Sequence, residues 1–368
     1  MMMNTNLLET SSAEWLAVLQ RCRHDSHHMP GWLRASQHEG GGKPFAVHVT
    51  DGSHELFLPL LNRDINGKDW DASSPYGFAG PLVSDDAPAS FADEALAAAM
   101  EVLRGQGCVS CFIRLNPIVN AQWSSSIGTL IEHGQTISID LSKSEAEHWR
   151  DTSHGHRLEI SKAMRAGVTV RLDETLETLP HFIRLYNASM DRLRASDYYF
   201  FDDAYHYSLA QELGDRLRLF VAEEEGVIIG GATVMVSGDG GILQGHLMGI
   251  DARYRHRQPS KIMLHAIRQW GREQGHRYYH LGGGLGGSAE DSLFRFKRGF
   301  SPDTHVFCTQ RVVVDPDRYQ ALCGDTPSVL EDLSGFFPAY RKADNADKAD
   351  KADKADKADK ADKAERAG

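Results

Sequence analysis

The stretch from Tyr278 to Phe300, YYHLGGGLGGSAEDSLFRFKRGF, constrains the fold more than any other part of the chain. An apolar run (Tyr278, Tyr279, His280, Leu281) stops at five glycines within six positions. Ser288, Asp291 and an apolar pattern at Leu293, Phe294 and Phe296 follow. Ser288-x-x-Asp291 has the form of a capping box, in which a hydroxyl and a carboxylate satisfy amides left open at a helix start. Glycines permit positive φ and a close approach of backbone to a ligand. Lys297 closes the short helix, with Gly299 behind it. The segment reads as a strand, a glycine opening and a short helix ending in a cation, a place that can hold a reacting carbonyl. On local pattern alone it also reads as a tight connection, with Lys297 a solvated cation favoured by the helix dipole. No Gly-Lys-Ser/Thr follows the glycines, which excludes a nucleotide P-loop. No acidic residue at a second strand end completes a dinucleotide-binding unit.

Elsewhere strands and helices alternate irregularly. A surface helix is expected at Glu14–Leu19, then strands at Pro44–Val49 and Glu55–Leu61 around the Asp51-Gly52 hairpin signal. An alanine-rich helix at Phe91–Leu103 leads to a strand at Cys108–Leu115, and Thr136–Leu141 reads as another strand. A charged helix begins near Ser142 and closes at Gly167, before a strand at Val168–Leu172. The second half repeats the theme. A helix at Leu179–Ala195 precedes strands at Leu217–Glu223, Val227–Val236 and Gly241–Ile250, then a helix at Ser260–Gln274. Hairpins mixed with helices exclude a plain doubly wound sheet and predict an α+β (mixed α/β) chain.

The chain of 368 residues suits two domains, and its net charge of −11 argues against a DNA partner. Cys108-x-x-Cys111 lies in an apolar run with no second pair, so reduced buried thiols are expected rather than a metal site. His24, His27 and His28 read as a polar loop. No run approaches the ~20 apolar residues of a transmembrane helix, and the start lacks a leader pattern, so a cytoplasmic protein is expected. The Lys-Ala-Asp repeat of residues 342–368 has no apolar type but alanine and reads as a solvated tail.

In order, these motifs resemble the Fem-like (FemAB/FemX-type) transferases, whose chains carry two domains of the GNAT N-acetyltransferase fold. The resemblance rests on the glycine segment with Phe296-Lys297 and on DASSPYGFAGPL at Asp71–Leu82. It continues through Arg114–Pro117, Ile139–Val170, Leu185–Phe201, Gly245–Gly249 and Phe336–Arg341. It is nearest to the FemAB-related acyltransferases and covers the chain apart from the tail. It implies two tandem GNAT-like domains around a central cleft. The first would be 1–141, with 318–341 returning to it; the second, 142–317, would carry the acyl-transfer site.

The implied activity is acyl or aminoacyl transfer to an amine, with no cofactor beyond the donor. In the best-understood relatives the donor is aminoacyl-tRNA and the acceptor a peptidoglycan-precursor stem peptide. A small-molecule or nucleotide- or lipid-linked amine acceptor is therefore expected, with the aminoacyl-tRNA acceptor end as a partner and room for peripheral membrane contact. Acyl-CoA relatives bind pyrophosphate with a glycine-containing loop leading into a helix. The matching segment, Arg253–Lys261, has no glycine, and Pro259 offers no amide. It carries Arg253, Arg255, Arg257 and Lys261, which can meet phosphates by side chain or form an ordinary basic loop. Lys297 matches the family lysine at the transferred acyl group, with Phe296 beside it and Gly282, Gly283 and Gly284 forming the opening. Arg192, with Arg194 as rival, matches the region that grips acceptor phosphates. Tyr76 and Asp291 are further binding candidates, Asp291 also being a cap partner. His246, on an expected central strand, suits proton removal or a core role. Lys162 and Arg157 are expected to line or solvate the cleft. An acyl-CoA N-acyltransferase and a non-catalytic accessory protein of envelope polysaccharide assembly are the alternative readings.

Overall fold

The computed structural model describes residues 3–342 apart from 38–41, 197–198, 240, 285–287, 289 and 325–326. The first half contributes β1 (Asn4–Glu9), α1 (Ala13–Arg21), α2 (Pro30–Ala35), β2 (Lys43–Thr50), β3 (Glu55–Asp64), β4 (Trp70–Ser73) and β5 (Leu82–Val83). It continues with α3 (Phe91–Gly105), β6 (Cys108–Arg114) and β7 (Thr129–Asp140). The second adds α4 (Glu145–Asp151), α5 (His154–Arg165), β8 (Thr169–Asp173), α6 (Leu179–Leu193), α7 (Asp203–Leu213), β9 (Leu217–Glu224) and β10 (Val227–Val236). Next come β11 (Ile242–Ile250), α8 (Pro259–Glu273), β12 (Tyr278–Gly283), α9 (Ser292–Arg298), β13 (Thr304–Val313) and α10 (Pro316–Leu322).

All the strands join one sheet in the order β1-β2-β3-β4-β6-β13-β7-β12-β11-β10-β9-β8, with β5 beside β3. Read from either edge, the order repeats. Four antiparallel strands, β1–β4 or β8–β11, meet a fifth that runs parallel to the fourth, β6 or β12. A helix, α3 or α8, makes the crossover that a parallel pair needs. The innermost strands are exchanged. β7 follows β6 in the chain but pairs with β12, whereas β13 follows β12 and pairs with β6. β7 and β13 pair with each other along the middle, so each half is completed by the other's strand. The mixed α/β class and the repeated half are as expected from the sequence, but the two halves share one continuous sheet instead of standing as separate sheets.

Alternation along the strands sorts side chains into two layers. On β9, Leu219 and Val221 join a cluster with Trp15, Trp32, Phe182, Tyr186 and Tyr205 that draws on both halves. Phe220 and Ala222 face the other way, to Ile160, Met263, Ile267, Phe294 and Phe300 of α5, α8, α9 and the turn after it. The chain end returns to the first half. Asp71 of β4, wholly buried, accepts from Arg63 Nε at 2.7 Å, Arg341 Nε at 2.5 Å and the Tyr340 hydroxyl at 3.2 Å.

Some elements differ from the sequence expectation. β1, α2, β4, β5, α7, β13 and α10 are additional, and β7 starts at Thr129 rather than Thr136. The charged segment after Ser142 forms two helices, because Ser153 starts a second one by accepting from the His156 amide at 3.4 Å. The repeat from residue 343 onward lies outside the described residues, as do Leu285–Gly287 of the glycine run. No described helix is long and apolar enough to cross a membrane.

Candidate active site

β11 and β12 pair in parallel only from Ile242–Tyr278 to Gln244–His280. β11 then runs on to Ile250 and β12 to Gly283, so the strands part. Ladder pairing ends along the facing edges, and the slot offers backbone groups to an entering chain. At the slot's end Gly282 adopts φ +74°, a left-handed conformation that favours glycine. The next carbonyl, of Gly283, accepts from Lys297 Nζ at 2.6 Å. Lys297 rides on α9, which is anchored by buried Phe294 and capped by Asp291, whose Oδ1 accepts from the Phe294 amide at 2.8 Å. Ser288 is therefore not the helix cap. Its hydroxyl accepts from the Glu290 amide at 3.1 Å in the turn before, and the three-residue reach to a helical amide belongs to Asp291. A Cβ at Gly284 would lie 2.1 Å from that Oδ1, so only glycine lets the strand end come this close to the cap. Burial pulls the Lys297 pKa down to about 8, against the pull of the Asp291 carboxylate. At neutral pH it is an ammonium that yields its proton readily.

Phe296 stands beside it, 5.7 Å from the Phe300 ring and 5.5 Å from His156. Lys261 Nζ lies 5.8 Å over the Phe296 ring but is ion-paired to Glu159. The rest of the expected phosphate cluster is likewise largely neutralised. Arg253 pairs with Asp251 at 2.7 Å and Arg257 with Glu224 at 2.6 Å, leaving Arg255 without an ion pair among the described residues. Acids on β9, α5 and the preceding turn face the segment, so three of its four cations are engaged in ion pairs. The start of α8 is also poor in donors. Pro259 has no amide, and the Lys261 and Ile262 amides both donate to the Gln258 carbonyl, at 3.0 and 3.3 Å.

The other side of the slot is built by the first half. His24, His27 and His28 are buried, not a polar loop. His27 and His28 belong to a 3-10 turn, Ser26–His28, capped by Asp25, whose amide donates to His28 Nδ1 at 3.1 Å, while His28 Nε2–H donates to the Gly80 carbonyl at 3.0 Å. His27 Nδ1–H donates to Asp25 Oδ2 at 2.6 Å. Burial works against the Asp25 carboxylate, but the adjacent His27 more than offsets it and holds its pKa well below the usual range. The signal for this turn was present as Asp25-x-x-His28 before Pro30, a capping box ahead of a proline at a helix start.

His246 lies on β11 with Nε2 hydrogen-bonded to the Tyr205 hydroxyl at 2.9 Å. Burial lowers its pKa to about 3, leaving a neutral, weakly basic ring. His280, also neutral through burial, donates from Nδ1 to Gln244 Oε1 at 2.8 Å, and its buried Nε2 has no partner among the described residues. Tyr76 accepts from the Trp32 indole at its carbonyl (3.1 Å) and packs its ring 6.2 Å from Phe201. Arg114, at the end of β6, donates from Nε to the Gly77 carbonyl at 3.0 Å and lies 5.7 Å over Phe307. It makes no ion pair among the described residues, a cation that sequence reading did not single out. Arg192 is exposed at the end of α6, 3.4 Å from the Ser189 hydroxyl that holds the Ile250 backbone, and Arg194 is the left-handed helix cap. Arg157 donates to the Trp149, Arg150 and Thr152 carbonyls, closing α4 rather than lining the slot. Lys297, Phe296, Asp291, the glycines and Lys261 thus come together, while His246 and Tyr76 form a second group across the slot. Arg257 and Arg192 join neither.

Residues 150–298, which hold the slot and Lys297, match the family model described as an acetyltransferase (GNAT) domain. No curated protein matches the chain by sequence. Among solved structures, FemX is similar at 14% identity with a TM-score of 0.64, over 86% of this chain and 99% of that one. The C-terminal domain of a putative lysylphosphatidylglycerol synthetase from Agrobacterium fabrum is similar at 15% identity and TM-score 0.53, covering 88% and 96%. L-PGS from Bacillus licheniformis is similar at 16% and 0.52, covering 82% and 92%. The domain match gives residues 150–298, with the slot and Lys297, the character of a GNAT acetyltransferase domain. Over the whole chain, the fold is that of FemX.

Proposed function

We propose that the chain transfers an aminoacyl group from aminoacyl-tRNA to an amine of a cell-envelope or peptidoglycan-type precursor. The observation that carries this reading is Lys297, half-buried at the end of the β11–β12 slot with its ammonium on the Gly283 carbonyl. An ester carbonyl lying in the slot develops negative charge as the amine attacks. A positioned cation at that oxygen is commonly the largest single catalytic contribution. Phe296 walls the acyl pocket, and the Gly282 turn leaves room for the reacting carbon. Residues 142–317 then serve the donor, and residues 1–141 with 318–341 the acceptor. A cytoplasmic site of action at the membrane surface follows from these substrates.

The donor is inferred from the start of α8. With Pro259 lacking an amide and the Lys261 amide donating to the Gln258 carbonyl, a pyrophosphate would find little backbone to bind. Acetyl-CoA should bind more weakly than about 1 mM, where only ~4 kcal/mol is available. The test offers the full chain radiolabelled bulk aminoacyl-tRNA or acetyl-CoA, with a lysine-containing stem peptide as acceptor. Transfer from the RNA donor that ribonuclease abolishes is expected. Micromolar acetyl-CoA binding with productive acetylation instead establishes an acyl-CoA enzyme, the reading favoured by the acetyltransferase family match.

A further inference from the structure

We infer that His27, oriented by Asp25, is the base that takes the proton from the attacking amine; this rests on the acyl-transfer reading above. Asp25 is wholly buried and rigidly held. Its Oδ2 accepts from Asn116 Nδ2 at 2.9 Å as well as from His27, and its Oδ1 accepts from the Ser26 amide at 2.6 Å and the Ser26 hydroxyl at 3.1 Å. With Nδ1–H given to that carboxylate, the imidazole presents its lone pair on Nε2. Among the described residues nothing donates to this Nε2.

The position of His27 supports the role. Trp32 meets both His27 and His246 edge-on, at 4.9 and 5.4 Å, and Phe78 meets both His27 and His280, at 5.6 and 5.1 Å. The dyad from the first half is thereby set across from the two strands that form the slot. Gly77 makes room for it: a Cβ there would lie 2.2 Å from His27 Nε2, on backbone with φ +93°. His246 and His280 are weaker candidates. The first has Nε2 engaged by Tyr205, and the second rests on an amide, Gln244, which cannot stabilise an imidazolium as a carboxylate does.

The step balances. Nε2 takes one proton from R–NH3+, and the resulting imidazolium is stabilised by Asp25. The free amine forms a C–N bond to the carbonyl carbon, with the oxyanion facing Lys297. Collapse breaks the C–O bond to the ribose, the leaving oxygen takes a second proton from the nitrogen, and His27 returns the first to solvent.

The test uses the full chain with bulk aminoacyl-tRNA, and acetyl-CoA in parallel, on a lysine-containing stem peptide. His27→Gln should lower kcat/KM about 10²–10⁴-fold at neutral pH. The deficit should shrink about tenfold per pH unit as pH rises, because the amine then loses its proton to solvent. Asp25→Asn, which disturbs position rather than the base itself, should lose less and shift the acidic limb. Added imidazole should restore part of the turnover of His27→Ala. The titrating groups facing His27 are Asp25, His24 and His28 from its own segment, His246 from β11 and His280 from β12. Burial holds His28, His246 and His280 at about 4, 3 and 3, outside the range of this readout. Turnover by His27→Gln within about threefold of wild type overturns the inference and leaves acyl transfer standing. So does a deficit that is the same at every pH, the mark of a structural role. No transfer by the wild-type chain from either donor overturns the underlying reading and the inference with it.

Discussion

Lys297 holds a charge that its surroundings disfavour. Its pKa falls to about 8 in the folded chain because of burial, against ~10.4 for an exposed lysine. Below about pH 8 both folded and unfolded states are protonated and the folded state carries the whole penalty. Between the two values the penalty is relieved, so stability rises with pH there. Turnover follows the opposite course: if the ammonium serves the oxyanion, kcat should fall as pH rises through about 8, a limb that Lys297→Met abolishes. Gly77 makes a second residue-scale case. In Gly77→Ala the new methyl would meet His27 Cδ2 at 2.1 Å on backbone with φ +93°. A loss of at least ~1 kcal/mol is expected, with His27 displaced and transfer reduced. Thermal melts and steady-state rates measure both effects.

At the scale of elements, the Asp71 clip decides whether the chain end stays docked. Two guanidinium groups and a phenol converge on one wholly buried carboxylate. Asp71→Ala strands Arg63 and Arg341 and should cost about 3–5 kcal/mol, the scale of breaking a buried ion pair; urea melts give the figure. Elements whose signals are local were legible in the sequence. The Asp51-Gly52 turn does join the paired strands β2 and β3. The strand, glycine opening and short helix around Lys297 are contiguous, so that half of the site could be read directly. β13 could not. Its partners, β6 and β7, lie far back in the chain, and the exchange of inner strands leaves no local pattern. The Asp25–His27 pair escaped for the same reason. Three histidines in a row of polar residues look solvated until the 74–81 loop and β12 close over them.

For the whole molecule, the buried histidines predict a sharp acid limit. Burial holds His28, His206 and His265 at about 4, and His246 and His280 at about 3. Unfolded, each binds a proton near pH ~6.5, so from there down to about 4 the unfolded state takes up protons that the folded state refuses. Stability therefore falls with pH in that window, by up to ~1.4 kcal/mol per unit for each ring. Urea midpoints at successive pH values should drop steeply below about pH 6, and a flat profile means these rings are better solvated than their packing indicates. Acyl transfer by this chain requires Lys297 to act in the reaction rather than in the fold. The most direct test measures turnover and melting temperature of wild type and Lys297→Met in one transfer assay. Turnover should drop about 10²–10³-fold with KM little changed, the scale of one preorganised donor acting only in the transition state. The melting temperature should hold or rise, because a burial penalty of about 1–3 kcal/mol is removed. Near-normal turnover, or a large fall in melting temperature without a selective loss of kcat, contradicts a catalytic role and makes Lys297 a structural residue.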